Sequence, residues 1–169
     1  MATRTKTRAH KAANRNLTSA SPATDALALL KADHKEVKAW FNQYEGLDND
    51  SQKAALVAKI CLALKVHTTI EEEIFYPAAR KATKDNALLD EANVEHACAK
   101  DLLAQIEAMK VGENLYDAKV QVLGEQIKHH AKEEEEELFP EVREAKMDLK
   151  GLGSQMAARK AELMRQLAK

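Results

Sequence analysis

The chemistry in this sequence is concentrated in two near-copies of one phrase, HTTIEEEIFYP at His67–Pro77 and HHAKEEEEELFP at His129–Pro140. In each copy a histidine stands ten residues before a proline, at His67 and His130, and a glutamate follows four residues later, at Glu71 and Glu134. An imidazole and a carboxylate one helical turn apart project from the same face. Two more histidines, His34 and His96, occur elsewhere in the chain. Four imidazoles and two carboxylates, each carboxylate able to bridge, suit a pair of cations. Without a thiolate the donor set points to iron, with zinc or manganese as alternatives. The HExxH arrangement of zinc proteases is absent, and one structural zinc does not need six ligands.

Such side chains can meet only if helices bring them to one level. The apolar stripe of a first helix reads Leu27, Leu30, His34, Val37, Phe41, and that of a second reads Ile60, Leu64, His67, Glu71, Ile74. A third gives Ala92, His96, Ala99, Leu103, Ile106, and a fourth gives Val120, Leu123, Ile127, His130, Glu134, Leu138. Every long helix therefore places a histidine on its inward seam, where burial of two carboxylates is costly unless something cationic holds them. His34 and His96 lie about ten residues after their helix starts, and His67 and His130 ten before a helix stop. At about 1.5 Å per residue, all four fall roughly 15 Å from one end of an up-down-up-down bundle.

The helices are bounded by ordinary signals. Ser21 or Thr24 can cap the first, from about Asp25 to Tyr44, before the turn EGLDND. The second runs from Asp50 or Ser51 to Pro77 or just beyond, because proline removes a donor and crowds the preceding turn. The third spans Asn86–Lys110 and stops at Gly112; the fourth runs from Asn114 to about Pro140. After a break at KGLG, Lys150–Gly153, a basic amphipathic helix closes the chain, with Leu152, Met156, Leu163, Met164 and Leu167 packing back on the bundle. The expected organisation is a flexible, disordered basic tail over 1–20, an all-α four-helix bundle over 21–148 and a short fifth helix over 149–169.

Composition agrees with this. Of 169 residues 45% are hydrophobic but only 4% aromatic, so an aliphatic core is expected, and a net charge of −1 gives no general attraction to nucleic acid or membrane. Cys61 and Cys98 lie in apolar helical patterns and read as reduced core residues. No run is long enough to span a bilayer and no signal peptide is evident, so a cytoplasmic location is the default. The tail, with Arg4, Lys6, Arg8, Lys11 and Arg15 and no acid, is the one segment open to a transit-peptide reading.

Secondary candidates are fewer. His129 lies about 100° around the helix from His130, so a His129/Glu133 register fits the seam less well. Glu72, Glu73 and Glu135 to Glu137 read as a solvated acidic face, from which one could reach a metal or relay protons. Tyr44, Tyr76 and Tyr116 lie more than two turns from the site level and are not expected as ligands.

These motifs, DHKEV at Asp33–Val37, HTTIEEEIFYP, EHACAKDLL at Glu95–Leu103 and HHAKEEEEELFP, resemble the hemerythrin-like, or HHE cation-binding, domain family over roughly Asp25 to Ala145. The resemblance implies a non-haem di-iron centre held by His34, His67, Glu71, His96, His130 and Glu134. It implies a small ligand such as oxygen, nitric oxide or peroxide, bound or sensed, or a role in buffering iron; the alternative is a peroxidase- or catalase-like di-iron enzyme. The chain departs from the oxygen carriers of this family in two places. Lys100 stands where they have a further histidine, and Glu134 where they have an aspartate, so reactive rather than reversible oxygen chemistry is expected.

Overall fold

The structure, a computed structural model, describes residues 25–83 and 86–167. The expected basic tail and the caps Ser21 and Thr24 lie outside them. Helix α1 (Ala26–Glu45) starts on Asp25, whose carboxylate accepts the Ala28 N–H, and α2 (Asp50–Ile70) starts on Asn49, which accepts from Gln52. Short polar side chains there satisfy backbone donors that a helix start leaves free. Helix α4 (Ala87–Glu107) and helix α5 (Tyr116–Glu133) follow a further connection each. The turn into α5 needs two left-handed residues, Gly112 at φ 86° and, less usually for a side-chain-bearing residue, Leu115 at φ 71°.

The prolines do not end the second and fourth helices. Each helix instead widens into a five-residue π turn, Glu71–Phe75 and Glu134–Leu138, and resumes as α3 (Tyr76–Ala82) and α6 (Phe139–Glu144). Tyr76 N–H reaches back to the Glu71 carbonyl and Phe139 N–H to that of Glu134. The wider turn relaxes the contact between each proline ring and the preceding carbonyls, so Pro77 and Pro140 sit in the first turn of a resumed helix, where no N–H is required. Both π turns begin at a seam glutamate, in keeping with the tendency of such bulges to mark functional positions.

Helix α1 packs on α2 and α5, and α4 packs on α5 and α2, which closes a four-helix ring. α5 approaches closely at Gly124, where a Cβ would stand 2.9 Å from the Phe41 ring. The fifth helix, α7 (Leu149–Leu167), is as long as the bundle helices and lies across α1 and α2. KGLG is no break: Asp148 accepts the Gly151 N–H at 2.9 Å and caps the helix, while the reversal falls at Lys146, φ 55°. Met156 and Leu163 are buried against the bundle and Leu152 partly so, but Met164 and Leu167 are exposed.

The buried apolar residues form two clusters. One gathers Leu27, Leu30, Phe75, Leu89, Phe139 and Met156 around the α7 side; the other gathers Val37, Phe41, Ile60, Leu64, Leu103 and Leu123. Between them lies a polar layer of His34, His67, Glu71, His96, His130 and Glu134, all buried. Cys61 is buried as expected, whereas Cys98 is exposed. No helix among the described residues is long and apolar enough to cross a membrane.

Candidate metal centre

All six seam residues converge. His34 Nε2 lies 3.1 Å from His67 Nε2, and His96 Nε2 lies 3.1 Å from His130 Nε2. The two carboxylates tie these pairs together. Glu71 places Oε1 3.2 Å from His67 Nε2 and Oε2 3.3 Å from His96 Nε2, while Glu134 Oε2 lies 3.3 Å from His34 Nε2 and 3.6 Å from His130 Nε2. Two overlapping groups result, His34–His67–Glu71–Glu134 and Glu71–His96–His130.

The outward nitrogens decide which atoms face inward. Each Nδ1 meets a carboxylate: His34 meets Glu135 at 3.0 Å, His67 meets Asp33 at 3.4 Å, His96 meets Glu72 at 3.0 Å and His130 meets Glu95 at 2.7 Å. An imidazole that donates Nδ1–H to a carboxylate turns an Nε2 lone pair inward. Lone pairs would then face lone pairs at 3.1 Å, and both Glu71 oxygens and Glu134 Oε2 are buried without a well-formed hydrogen bond. A cation between them resolves that conflict, so the donor set fits a metal.

In the metal-free chain protons take up part of the strain. Burial works to lower the His67 pKa, but the adjacent Glu71 carboxylate and the Asp33 hydrogen bond outweigh it and raise it to about 10. Burial would raise Glu71, yet His67 beside it holds its carboxyl well below the usual range. His130 is raised too, its burial overcome by the hydrogen bond to Glu95 and the charge of Glu134.

A pseudo-twofold relation organises the site, visible as a shift of sixty-two residues between α1 and α4 and sixty-three between α2 and α5. Lys38 holds Glu135 at 3.3 Å behind His34, and Lys100 holds Glu72 at 2.6 Å behind His96. Lys100 thus points to an outer carboxylate, not into the centre. Lys160 of α7 pairs with Asp33 behind His67, whereas Glu95 behind His130 faces the exposed His129. The relation breaks at Tyr76 and Phe139. Phe139 stacks on His34 at 6.1 Å, while the buried Tyr76 donates to Glu134 Oε1 at 2.8 Å and stands 3.2 Å from His96 Nε2.

Tyr76 corrects the sequence expectation, which placed all three tyrosines beyond reach. Tyr76 follows Glu71 by little more than one turn, a span its phenol covers, and the π turn at Glu71–Phe75 changes the direction in which it leaves the helix. Burial, then the charges of Glu71 and Glu134, push its pKa well above the usual value, so it keeps its proton. Tyr44 does lie elsewhere, bonded to Asp117. The acidic face divides: Glu72 and Glu135 grip imidazoles, Glu73 pairs with Arg159 at 2.7 Å, and Glu136 pairs with Lys132 at the surface. The sequence signal for the inward pair was their place directly after Glu71 and Glu134; Asp33 and Glu95 likewise stand directly before histidines and serve the histidine of the neighbouring helix.

A helical bundle with a buried histidine and glutamate layer that fits a metal defines a cation-binding bundle protein. The sequence matches the family model of the Hemerythrin HHE cation binding domain over residues 25–142, most of the chain, and the protein belongs to that family. Its fold is similar to the crystal structure of a Hemerythrin HHE cation binding domain-containing protein, the Rv2633c homolog from Mycobacterium kansasii. The two are 29% identical with a TM-score of 0.72, covering 84% of this chain and 88% of the other. No curated protein matches the sequence.

Proposed function

We propose that the buried layer holds two iron ions, with His34, His67, His96 and His130 as nitrogen ligands and Glu71 and Glu134 as carboxylate ligands, and that the centre serves a small ligand such as oxygen, nitric oxide or peroxide. The observation that carries this reading is that both Glu71 oxygens and Glu134 Oε2 are buried without a hydrogen bond among four inward-facing imidazoles. Bound iron would supply Lewis acidity and redox change. The chain's own residues do the rest. Asp33, Glu72, Glu95 and Glu135 fix the imidazole orientations, the two apolar clusters keep bulk water from the layer, and Lys38, Lys100 and Lys160 pair with three of the outer carboxylates.

A second reading, a peroxidase- or catalase-like enzyme, is favoured by one specific observation. Tyr76 brings a proton-bearing hydroxyl into a layer otherwise lined by acceptors, at 2.8 Å from Glu134 Oε1. It can turn that hydrogen bond from Glu134 to an oxygen-containing ligand. The test is peroxide decay on iron-loaded protein beside the Tyr76→Phe variant. Catalytic consumption that falls about a hundredfold in the variant, with iron content unchanged, selects the enzyme. Absence of turnover in both proteins selects the binding role.

A further inference from the structure

The pseudo-twofold relation fails a second time, at the surface, and the failure has the form of a site. Behind His67, α7 covers the bundle and supplies Lys160 to Asp33. The equivalent residue behind His130 is Glu95, and among the described residues no helix lies over it. Where the α2 face has the buried apolar residues Val66 and Ile70, the α5 face has His129 and Glu133. Solvent exposure alone asks only for polar residues there. What stands there is a histidine with two carboxylates in reach of one another.

His129 Nε2 lies 3.1 Å from Glu133 Oε1 and 3.8 Å from Glu95 Oε1, with the His129 side chain 62% exposed. The three donor atoms lie close enough together to hold one ion. Of the four outer carboxylates, Glu95 is the one that no lysine neutralises; among the described residues neither Glu95 nor Glu133 pairs with a lysine or arginine. Two carboxylates against one imidazole leave a site of net negative charge that suits a divalent cation.

A groove and a small cavity adjoin the cluster. A groove of about 210 Å³ between α4 and α5 runs past Val94, Cys98, Gln126 and His129 and is also lined by His96 and His130. A tighter cavity beside it is lined by Glu95, Glu133, His130 and Glu134, whose Oε2 is one of the buried oxygens without a hydrogen bond. Glu95 belongs to both places at once, with Oε1 toward His129 and Oε2 2.7 Å from His130 Nδ1.

We infer that Glu95, His129 and Glu133 form a docking site for a divalent cation at the mouth of the bundle, through which metal reaches the buried centre. The inference rests on the metal-binding reading above for its destination, though not for the docking site itself. An ion held there is partly dehydrated, stands next to the groove, and is attracted onward by Glu134.

The test uses the full chain, freed of metal, and Co²⁺ as the probe. Mixed anaerobically at limiting Co²⁺, the unmodified protein should fill its centre, followed by cobalt absorption, about ten times faster than His129→Ala/Glu133→Gln, with the same final occupancy. Glu136→Gln, which removes a charge from the same helix outside the cluster, should load at the unmodified rate. Mn²⁺ titration followed by electron paramagnetic resonance gives the independent readout. Glu71→Ala protein, with its centre disabled, should still bind one Mn²⁺ weakly, and that binding should vanish when His129→Ala/Glu133→Gln is added. Equal loading rates for the unmodified and doubly substituted chains overturn the inference, as does Mn²⁺ binding that the double substitution leaves intact. If no cobalt enters either protein, the buried-centre reading fails, and the Mn²⁺ titration still decides the docking site.

Discussion

Replacing Glu71 with alanine is expected to release most of the bound metal, from about two ions per chain to well under one, while Glu73→Ala retains it. The residues stand two apart in one π turn and carry the same functional group, so composition and charge cannot separate them. Their surroundings do. Glu71 is wholly buried, and its two oxygens reach both halves of the centre, at 3.2 Å from His67 Nε2 and 3.3 Å from His96 Nε2. Removing it leaves four imidazoles with one carboxylate between them. Glu73 faces Arg159 at the surface, and its loss removes an exposed ion pair worth little to stability. Elemental analysis of both variants measures the difference; equal metal loss would mean that the register of the second helix has been misread.

The second large effect concerns stability. A layer of facing acceptors that protons satisfy only in part is stabilised further by a cation, so metal binding and folding are coupled. With free metal at about a thousand times its dissociation constant, the coupling amounts to about 4 kcal/mol, and for a chain of this size that is roughly 10 °C in Tm. The pH dependence has a definite sign. In the metal-free chain His67 titrates at about 10, above its ordinary 6.5. Its contribution to stability is therefore present in full below pH 6.5 and is lost as pH rises through 10. Metal requires the neutral imidazole, so metal affinity runs the other way and strengthens as pH rises. The gain in Tm on adding metal is accordingly expected to grow from about pH 6 to about pH 9. Thermal melts with and without metal across that range decide it, and a gain that shrinks toward alkaline pH would contradict the coupling.

Much of this architecture is legible in the sequence because the period of the helix places the same residues on one seam. His34, His67, His96 and His130 fall on apolar stripes at matching depth, and the structure brings them within hydrogen-bonding distance in pairs. What the pattern cannot carry is whatever depends on a change of helical period. Pro77 and Pro140 signal helix stops to any reading based on a regular α-helix, yet the π turns absorb them, and the same turns bring Tyr76 into the layer. The outer carboxylates are hidden for another reason. Asp33 serves a histidine on α2 and Glu135 a histidine on α1, contacts between helices that spacing within one helix does not encode. Lys100 shows the limit of reasoning from one substituted position. Its side chain leaves for Glu72, so what distinguishes the two halves of the layer is Tyr76 against Phe139.

The central claim is that the buried layer is a two-iron site, and the most direct measurement is elemental analysis of the full chain produced in iron-replete medium and purified without added metal. About two iron atoms per chain are expected. Less than about half an atom of any transition metal per chain, in protein that is folded and melts cooperatively, would contradict it.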